Sequence, residues 1–578
     1  MKNLLGLLFS FTTLLLLFTN CGKQGFNVIN PPASSENTLS SLDDPFMDYQ
    51  WHLINTGQKV FSLNAGTVGN DLNLRTTWGN GIYGQGIKIL VSDDGIESAH
   101  EDIAGNYLSG LFSKDYSKPT PFLSSTAEPL NAGDSHGTSV AGLIAAVGWN
   151  HLGGRGVAPK AKLVSANFMS ENVTRSTDKL IDQAKGNFDV FNQSWGENQD
   201  SVDVLDLSYK SQLLYGVTNY RNGKGAIYVK AAGNSFLVEV SRLSKKIELG
   251  NANFDSSNST PYTINVGALA ALPIAASYSS PGANLWITAP GGEDGLDRPA
   301  MLTTDRTGCD LGFAASSTSS KLSFQKGEAS NTLCKYNATF NGTSSSAPVV
   351  SGVAALILEA NPNLSWRELK YILAKTATQV HTNIAPFENV LYTTAPNDYA
   401  NHKSPTGYTY EQGWVSNGAG FKFHNWYGFG RVNVDAAVAM AKSFNYNLGT
   451  YTDTGWDLAH KKSSLNLNIL DYSAVGIADS MTVSTQLKIE AVQLKLKVAH
   501  ANIGTLAVEL TSPAGTKSIV VNMNNALEGL ANYDDEILLI NTFYQESTKG
   551  VWTLRLIDGR SGTTGTLNEW SLNFIGGQ

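Results

Sequence analysis

Three short stretches carry side chains whose types suit nucleophilic catalysis. SDDGIESAH holds Asp93 at the end of an apolar run, DSHGTSVAG holds His136 ahead of a run of small residues, and NGTSSSAPVVSGVAALILEA holds Ser344 at the head of a long apolar run. A serine hydroxyl is a weak nucleophile at its own pKa, so a histidine must take its proton during attack and return it to the leaving group. A carboxylate then fixes the tautomer of that histidine and steadies the imidazolium. Taken singly, each stretch has an ordinary explanation: an Asp-Gly turn, a structural histidine, a serine-rich helix cap. Together they point to a Ser/His/Asp mechanism.

Such a trio needs a frame that sets its members at strand ends and helix starts. From 44 to 446, short apolar runs alternate with longer amphipathic ones, which predicts an α/β domain with a mainly parallel sheet and helices on both faces. IKILVS (87–92), AKLVSAN (161–167), FDVFNQS (188–194) and AIYVKAA (226–232) read as buried strands, and 137–147, 346–360, 365–374 and 434–444 as helices. Ligands gather at the carboxyl ends of strands in such sheets, and Asp93 falls at one of them. Pro348 is expected in the first turn of the serine-bearing helix, where a missing N–H costs little. The amides at that helix start can stabilise developing negative charge. Over 447–578 the pattern changes to short alternating segments, among them VQLKLKVAH, TLAVELTSP and VWTLRLID, which predicts an all-β sandwich or jelly roll.

At 578 residues the chain exceeds the roughly 250–300 that one core holds, so two or more folded units are expected. Its 42% hydrophobic and 16% charged residues exclude a disordered or coiled-coil chain, and a net charge of -8 gives no footprint for nucleic acid. Residues 1–20 combine Lys2 with an apolar run over 4–18, which reads as an export signal and is shorter than the ~20 residues that span a bilayer. Cys21 follows directly. The run LFTNC resembles a bacterial lipobox, so either Cys21 is lipidated and tethers the protein to a membrane surface, or ordinary signal cleavage occurs. The expected location is therefore the cell envelope, as a lipoprotein, or the exterior, as a secreted protein. Residues 21–43 read as a flexible tether. Cys309 and Cys334 remain, and an even pair in an exported protein is most simply a disulfide.

DDG around Asp93, HGTSVAG around His136 and GTSSSAP around Ser344 resemble the three signatures of subtilisin-like serine proteases, in the order Asp, His, Ser. DPFMDYQWHLINTG (44–57), DDGIESAHEDIAGNY (93–107), the SWG of Ser194, Trp195 and Gly196, and WYGFGRVNVDAA (426–437) are similar to the kexin and furin branch. The β-rich segment with GTLAVELTSPAGTKS, GVWTLRLID and GTLNEWSLNFIG is similar to the P domain of that branch.

The resemblance implies a serine endopeptidase with Asn234 of KAAGNS and the Ser344 amide as oxyanion donors. Substrate would pair as an added strand along Ser194, Trp195 and Gly196. A basic residue before the scissile bond would be preferred, with Asp255 of NANFDSSNSTPYTINVGA as one pocket acid and Gln199 where a second acid is expected. The resemblance also implies one structural Ca²⁺, held by Asp44, Asp102, the Asn150 side chain and the carbonyls of Val147, Leu152 and Gly154. Gln199 and Ser280 replace the carboxylates of other family calcium sites. No catalytic cofactor is expected. Only about 22 residues precede Asp44 after the signal, too few for the N-terminal chaperone domain usual in this family, so the chain folds unaided or with a separate chaperone. A dead binding scaffold would show a broken triad, and an α/β-hydrolase would carry G-x-S-x-G with the order Ser, Asp, His. Neither pattern is present.

Overall fold

Eight strands build the sheet that carries the candidate site: β1 (Lys88–Ser92), β2 (Ser113–Lys114), β3 (Leu123–Ser124), β4 (Lys162–Ala166), β5 (Val190–Gln193), β6 (Ile227–Ala231), β7 (Thr263–Leu269) and β8 (Ile287–Pro290). They lie in the order β8-β7-β6-β5-β1-β4-β2-β3, parallel except for the short β2–β3 pair. This computed structural model describes residues 44–578 apart from 202–203, 237, 240–246, 249, 316–321 and 385–403, with the side chains of 237–249 also outside it. The described residues all belong to one unit, Ser40–Gln578. The expected signal, the tether and Cys21 lie outside the described residues.

Strands β5 to β8 are buried along their whole length, as both covered faces of a parallel sheet require. Register then aligns the strand ends. Ser92 pairs with Ala166 and with Gln193, and Gln193 pairs with Lys230. Asp93, Ser194 and the turn toward Asn234 therefore leave the sheet at one edge.

Two helices bring the other polar groups to that edge. In His136–Ala145, every residue after His136 is buried, and the small side chains are obligatory. A Cβ on Gly137 would lie 2.3 Å from the Gly95 carbonyl oxygen, and one on Gly142 would lie 2.2 Å from Thr304 Oγ1. The second helix, Thr343–Ala360, carries Ser344 at its second position and runs through the core. Among the described residues it is the one helix long and apolar enough to cross a bilayer, yet 83% of it is buried inside the protein. Pro348 stands sixth in this helix, in the second turn and not the first. The cost of a proline there is the loss of a ladder hydrogen bond to the carbonyl four residues back, that of Ser344.

From Tyr451 onward the strands pair antiparallel in two sheets. One contains Lys488–His500, Tyr533–Ile540 and Gly565–Gly577, and the other Ile477–Val483, Leu506–Thr511, Lys517–Val521 and Gly550–Asp558. Trp552, Trp570, Leu494 and Phe574 lie in the core between them, and the same cluster contains Phe254 and Ala283 from the α/β part of the chain. Polar bonds reinforce this junction. Asn253 Nδ2 donates to the Leu539 carbonyl (3.1 Å) and Asn253 Oδ1 accepts from the Leu539 amide (2.8 Å). Asn541 Nδ2 donates to the carbonyls of Asn284 and Leu285 (2.9 and 3.1 Å), and Arg367 Nε reaches both oxygens of Glu490 at 3.0 and 2.9 Å.

Candidate active site

Asp93, 2% exposed at the end of β1, receives His136 Nδ1 at 2.8 Å on Oδ1. The neighbouring Asp94 does a different job. Ser135, at the N-cap of the histidine helix, makes no capping bond; instead Asp94 Oδ2 accepts from the His136 amide (2.9 Å) and Oδ1 from the Gly137 amide (2.7 Å). A carboxylate at a helix start satisfies orphan amides and complements the dipole, and here it fixes the helix end that carries the imidazole. Burial draws the His136 pKa down, but the charge and hydrogen bond of Asp93, with Asp94 behind it, push it up to about 9. Burial and the Asp93 charge push Asp94 up to about 7, against the pull of His136 and the two amides.

Ser344 is the second residue of its helix. Its Oγ donates to the Ser194 carbonyl at 3.1 Å, and Ser194 Oγ donates in return to the Ser344 carbonyl at 2.9 Å. That second bond follows from Pro348, which has no N–H to give to the Ser344 carbonyl. Among the described residues no hydrogen bond joins His136 to Ser344 in this conformation. Asn234 follows β6. Its Oδ1 accepts from the Thr343 amide (2.8 Å) and hydroxyl (2.9 Å), which turns Nδ2, the donor end of the amide, away from both. Gly342 brings the chain this close: it has φ of 101°, and a Cβ there would sit 3.2 Å from Asn234 Nδ2.

A cleft of about 440 Å³ opens beside His136, with Ser194, Trp195 and Gly196 along it and Asp94, Asp134 and Glu171 among its lining acids. A smaller pocket of about 140 Å³ adjoins it between Phe168, Met169, Leu180 and Trp195. Asp255 faces neither. It is fully buried behind Gly196, whose hypothetical Cβ would be 2.7 Å from its Oδ2. Its Oδ1 accepts from the Ser257 amide (3.0 Å) and its Oδ2 from the Glu197 amide (3.1 Å), with Lys230 Nζ 3.4 Å away. The expectation of an acid presented to substrate is corrected here, because Asp255 has an internal counter-ion. Sequence reasoning missed Lys230, whose only sign was a charged residue inside the apolar run AIYVKAA.

Asp44 and Asp102 come together at the loop 147–154. Asp44 accepts from the amides of Trp149 (2.7 Å), Asn150 (3.0 Å) and His151 (3.1 Å), and also pairs with the buried guanidinium of Arg155. Asp102 accepts from Asn150 Nδ2 (2.9 Å) and the Gly154 amide (3.2 Å). No hydrogen bond among the described residues ends on the carbonyl oxygens of Val147, Leu152 or Gly154. Two buried carboxylates beside three uncommitted carbonyls and an amide side chain are a donor set of the hard-oxygen kind that suits Ca²⁺. Arg155 was not anticipated, and it already balances the charge of Asp44. At the positions of the other family sites, buried Gln199 donates from Nε2 to the Ala232 carbonyl (2.8 Å), and Ser280 Oγ accepts from the Ser235 amide (2.9 Å). Cys309 and Cys334 are joined in a disulfide.

The strand-end aspartate, helix-start histidine and helix-start serine on a mainly parallel sheet define a subtilisin-like serine protease. The chain belongs to the subtilase family: the family model matches residues 84–430, and a proprotein convertase P-domain model matches 489–574. It is 35% identical over 559 residues to the extracellular serine protease of Aeromonas sobria, covering 92% of this chain and 86% of that one. It is 28% identical to human neuroendocrine convertase 2, covering 93% and 75% respectively. The crystal structure of the Aeromonas sobria serine protease superimposes with a TM-score of 0.82 at 32% identity, over 94% of this chain and 97% of that one. The same score is reached by that protease in complex with its chaperone ORF2. The chain is thus a serine-type endopeptidase with a C-terminal P domain.

Proposed function

We propose that Asp93, His136 and Ser344 hydrolyse peptide bonds of proteins through an acyl-enzyme, with a basic residue preferred before the scissile bond. The observation that carries the mechanism is the 2.8 Å bond from His136 Nδ1 to buried Asp93, which leaves Nε2 as the proton acceptor. For that transfer the Ser344 hydroxyl must leave the Ser194 carbonyl and turn to that nitrogen. Ser344 Oγ then attacks the carbonyl carbon while His136 takes its proton, and Asn234 Nδ2 with the Ser344 amide receives the oxyanion. The C–N bond breaks as His136 protonates the amine, and water repeats the sequence to release the acid. Support for the basic preference comes from Glu171, an exposed acid along the cleft.

Asp44, Asp102, Asn150 and the carbonyls of Val147, Leu152 and Gly154 would hold one Ca²⁺, which when bound would tie the 147–154 loop to the segments carrying the two aspartates. The export signal expected over 1–20, together with the similarity to the extracellular serine protease of Aeromonas sobria, supports an exported enzyme, either released or anchored through Cys21. The complex of a similar protease with a chaperone supports folding with a separate partner. Peptide-library cleavage by wild type beside Ser344→Ala tests the reading. Cleavage after Lys or Arg by wild type alone is expected, and equal cleavage by both would overturn it.

A further inference from the structure

Lys230 is a charged residue in the middle of a buried parallel sheet, with its side chain fully inaccessible. Burying an ammonium is costly unless its donors are satisfied, so its partners show what it is there to hold. Its Nζ donates to the Trp195 carbonyl at 2.6 Å, stands 3.4 Å from Asp255 Oδ2, and lies 4.3 Å from the centre of the Trp195 indole. Asp255 in turn accepts the Glu197 amide at 3.1 Å, and Gly196 leaves no room for a side chain above it. The two ends of the ion pair thus grip the main chain on either side of Gly196, one at a carbonyl and the other at an amide. This is the segment along which a substrate strand would pair.

Asp255 also receives the Ser257 amide and hydroxyl, so its lone pairs are committed inside the protein. A substrate guanidinium arriving from the cleft would meet no free carboxylate oxygen there. The segment carrying Asp255 is itself held from behind: Phe254 sits in the core of the β-rich domain, and Asn253 pairs with Leu539 across the junction.

We infer that the Lys230–Asp255 pair positions the substrate-binding segment Trp195–Glu197 and carries no charge selection of its own. Both are positioning residues for the protease reading, on which this rests. Selection of a basic side chain then falls to Glu171, the exposed acid among those lining the cleft. The pair acts through substrate alignment, so its loss is felt as weaker binding of extended peptides, whatever their side chains.

The test compares wild type, Lys230→Met, Lys230→Arg and Asp255→Asn on tetrapeptide amides ending in Arg or in Leu. Competent sites are counted in each preparation by fluorophosphonate titration, so that misfolded protein does not enter the rates. No labelling of wild type would remove the protease reading itself and is thereby distinguishable. In Lys230→Met, which removes the ammonium and keeps a side chain of similar length, kcat/KM per competent site is expected to fall at least tenfold through KM for both substrates, with recovery in Lys230→Arg. In Asp255→Asn, the Arg-to-Leu ratio of kcat/KM is expected to change less than tenfold. A change in that ratio of tenfold or more, or an unaltered KM in Lys230→Met, would overturn the inference. Should Asp255→Asn yield no competent sites, the same ratio measured in Lys230→Met decides by the same threshold.

Discussion

Phe254→Ala probes whether the two domains stand as one cooperative structure. The ring is fully buried among residues of the β-rich core, although it belongs to the loop before β7. Truncating such a ring removes its transfer free energy and leaves a cavity, at a cost of about 3–5 kcal/mol. What that does to Tm depends on how much of the chain melts together. With an unfolding entropy of about 2.1 cal/mol/K per residue, a β-rich domain of roughly 130 residues melting alone would lose about 11–18 °C. The whole described unit melting together would lose only about 3–5 °C. The bonds of Asn253, Asn541 and Arg367 across the junction favour the second outcome. Scanning calorimetry should show a single transition displaced by a few degrees. Two separated transitions with only one displaced, or an unchanged Tm, would refute the reasoning.

Four further outcomes follow from the structure. Asn234→Ala removes a preorganised donor, and kcat should fall about 100- to 1000-fold, the loss subtilisin suffers on losing such a donor, with KM little changed in steady-state assays. Because the His136 pKa is pushed up to about 9, kcat/KM should rise with pH until the imidazole is neutral. The sign for stability is opposite: a histidine raised from 6.5 contributes fully below that value and loses its contribution as pH passes through about 9. Asp94→Asn removes one of the charges that raise it, so the acidic limb of a pH–rate profile should move down by roughly half to one unit. Chelation with EGTA should lower Tm, and restoring Ca²⁺ should recover it; a Tm indifferent to both would remove the calcium site at Asp44 and Asp102.

The frame was legible in the sequence because fully buried parallel strands read as uninterrupted apolar runs ending in polar residues. IKILVS and AIYVKAA fall within a residue or two of β1 and β6. Asp93, His136 and Ser344, the proposed triad, stand out in the sequence for a related reason, since each sits where an element begins or ends. What escaped were interactions fixed by packing between distant segments. Lys230 and Asp255 are 25 residues apart and meet only because β6 and the loop before β7 adjoin; Arg155 and Asp44 meet across 111 residues. Phe254 looked like part of a specificity loop, whereas its ring belongs to another domain's core. Pro348 reads from the sequence as a first-turn residue, whereas it lies in the second turn, where its missing N–H leaves the Ser344 carbonyl to accept from Ser194.

The most direct measurement of the central claim is mass spectrometry of the protein after reaction with a fluorophosphonate. The account predicts one adduct, on the peptide containing Ser344, formed in wild type and slowed by orders of magnitude in His136→Ala. An adduct on another serine, or equal labelling in His136→Ala, would contradict it.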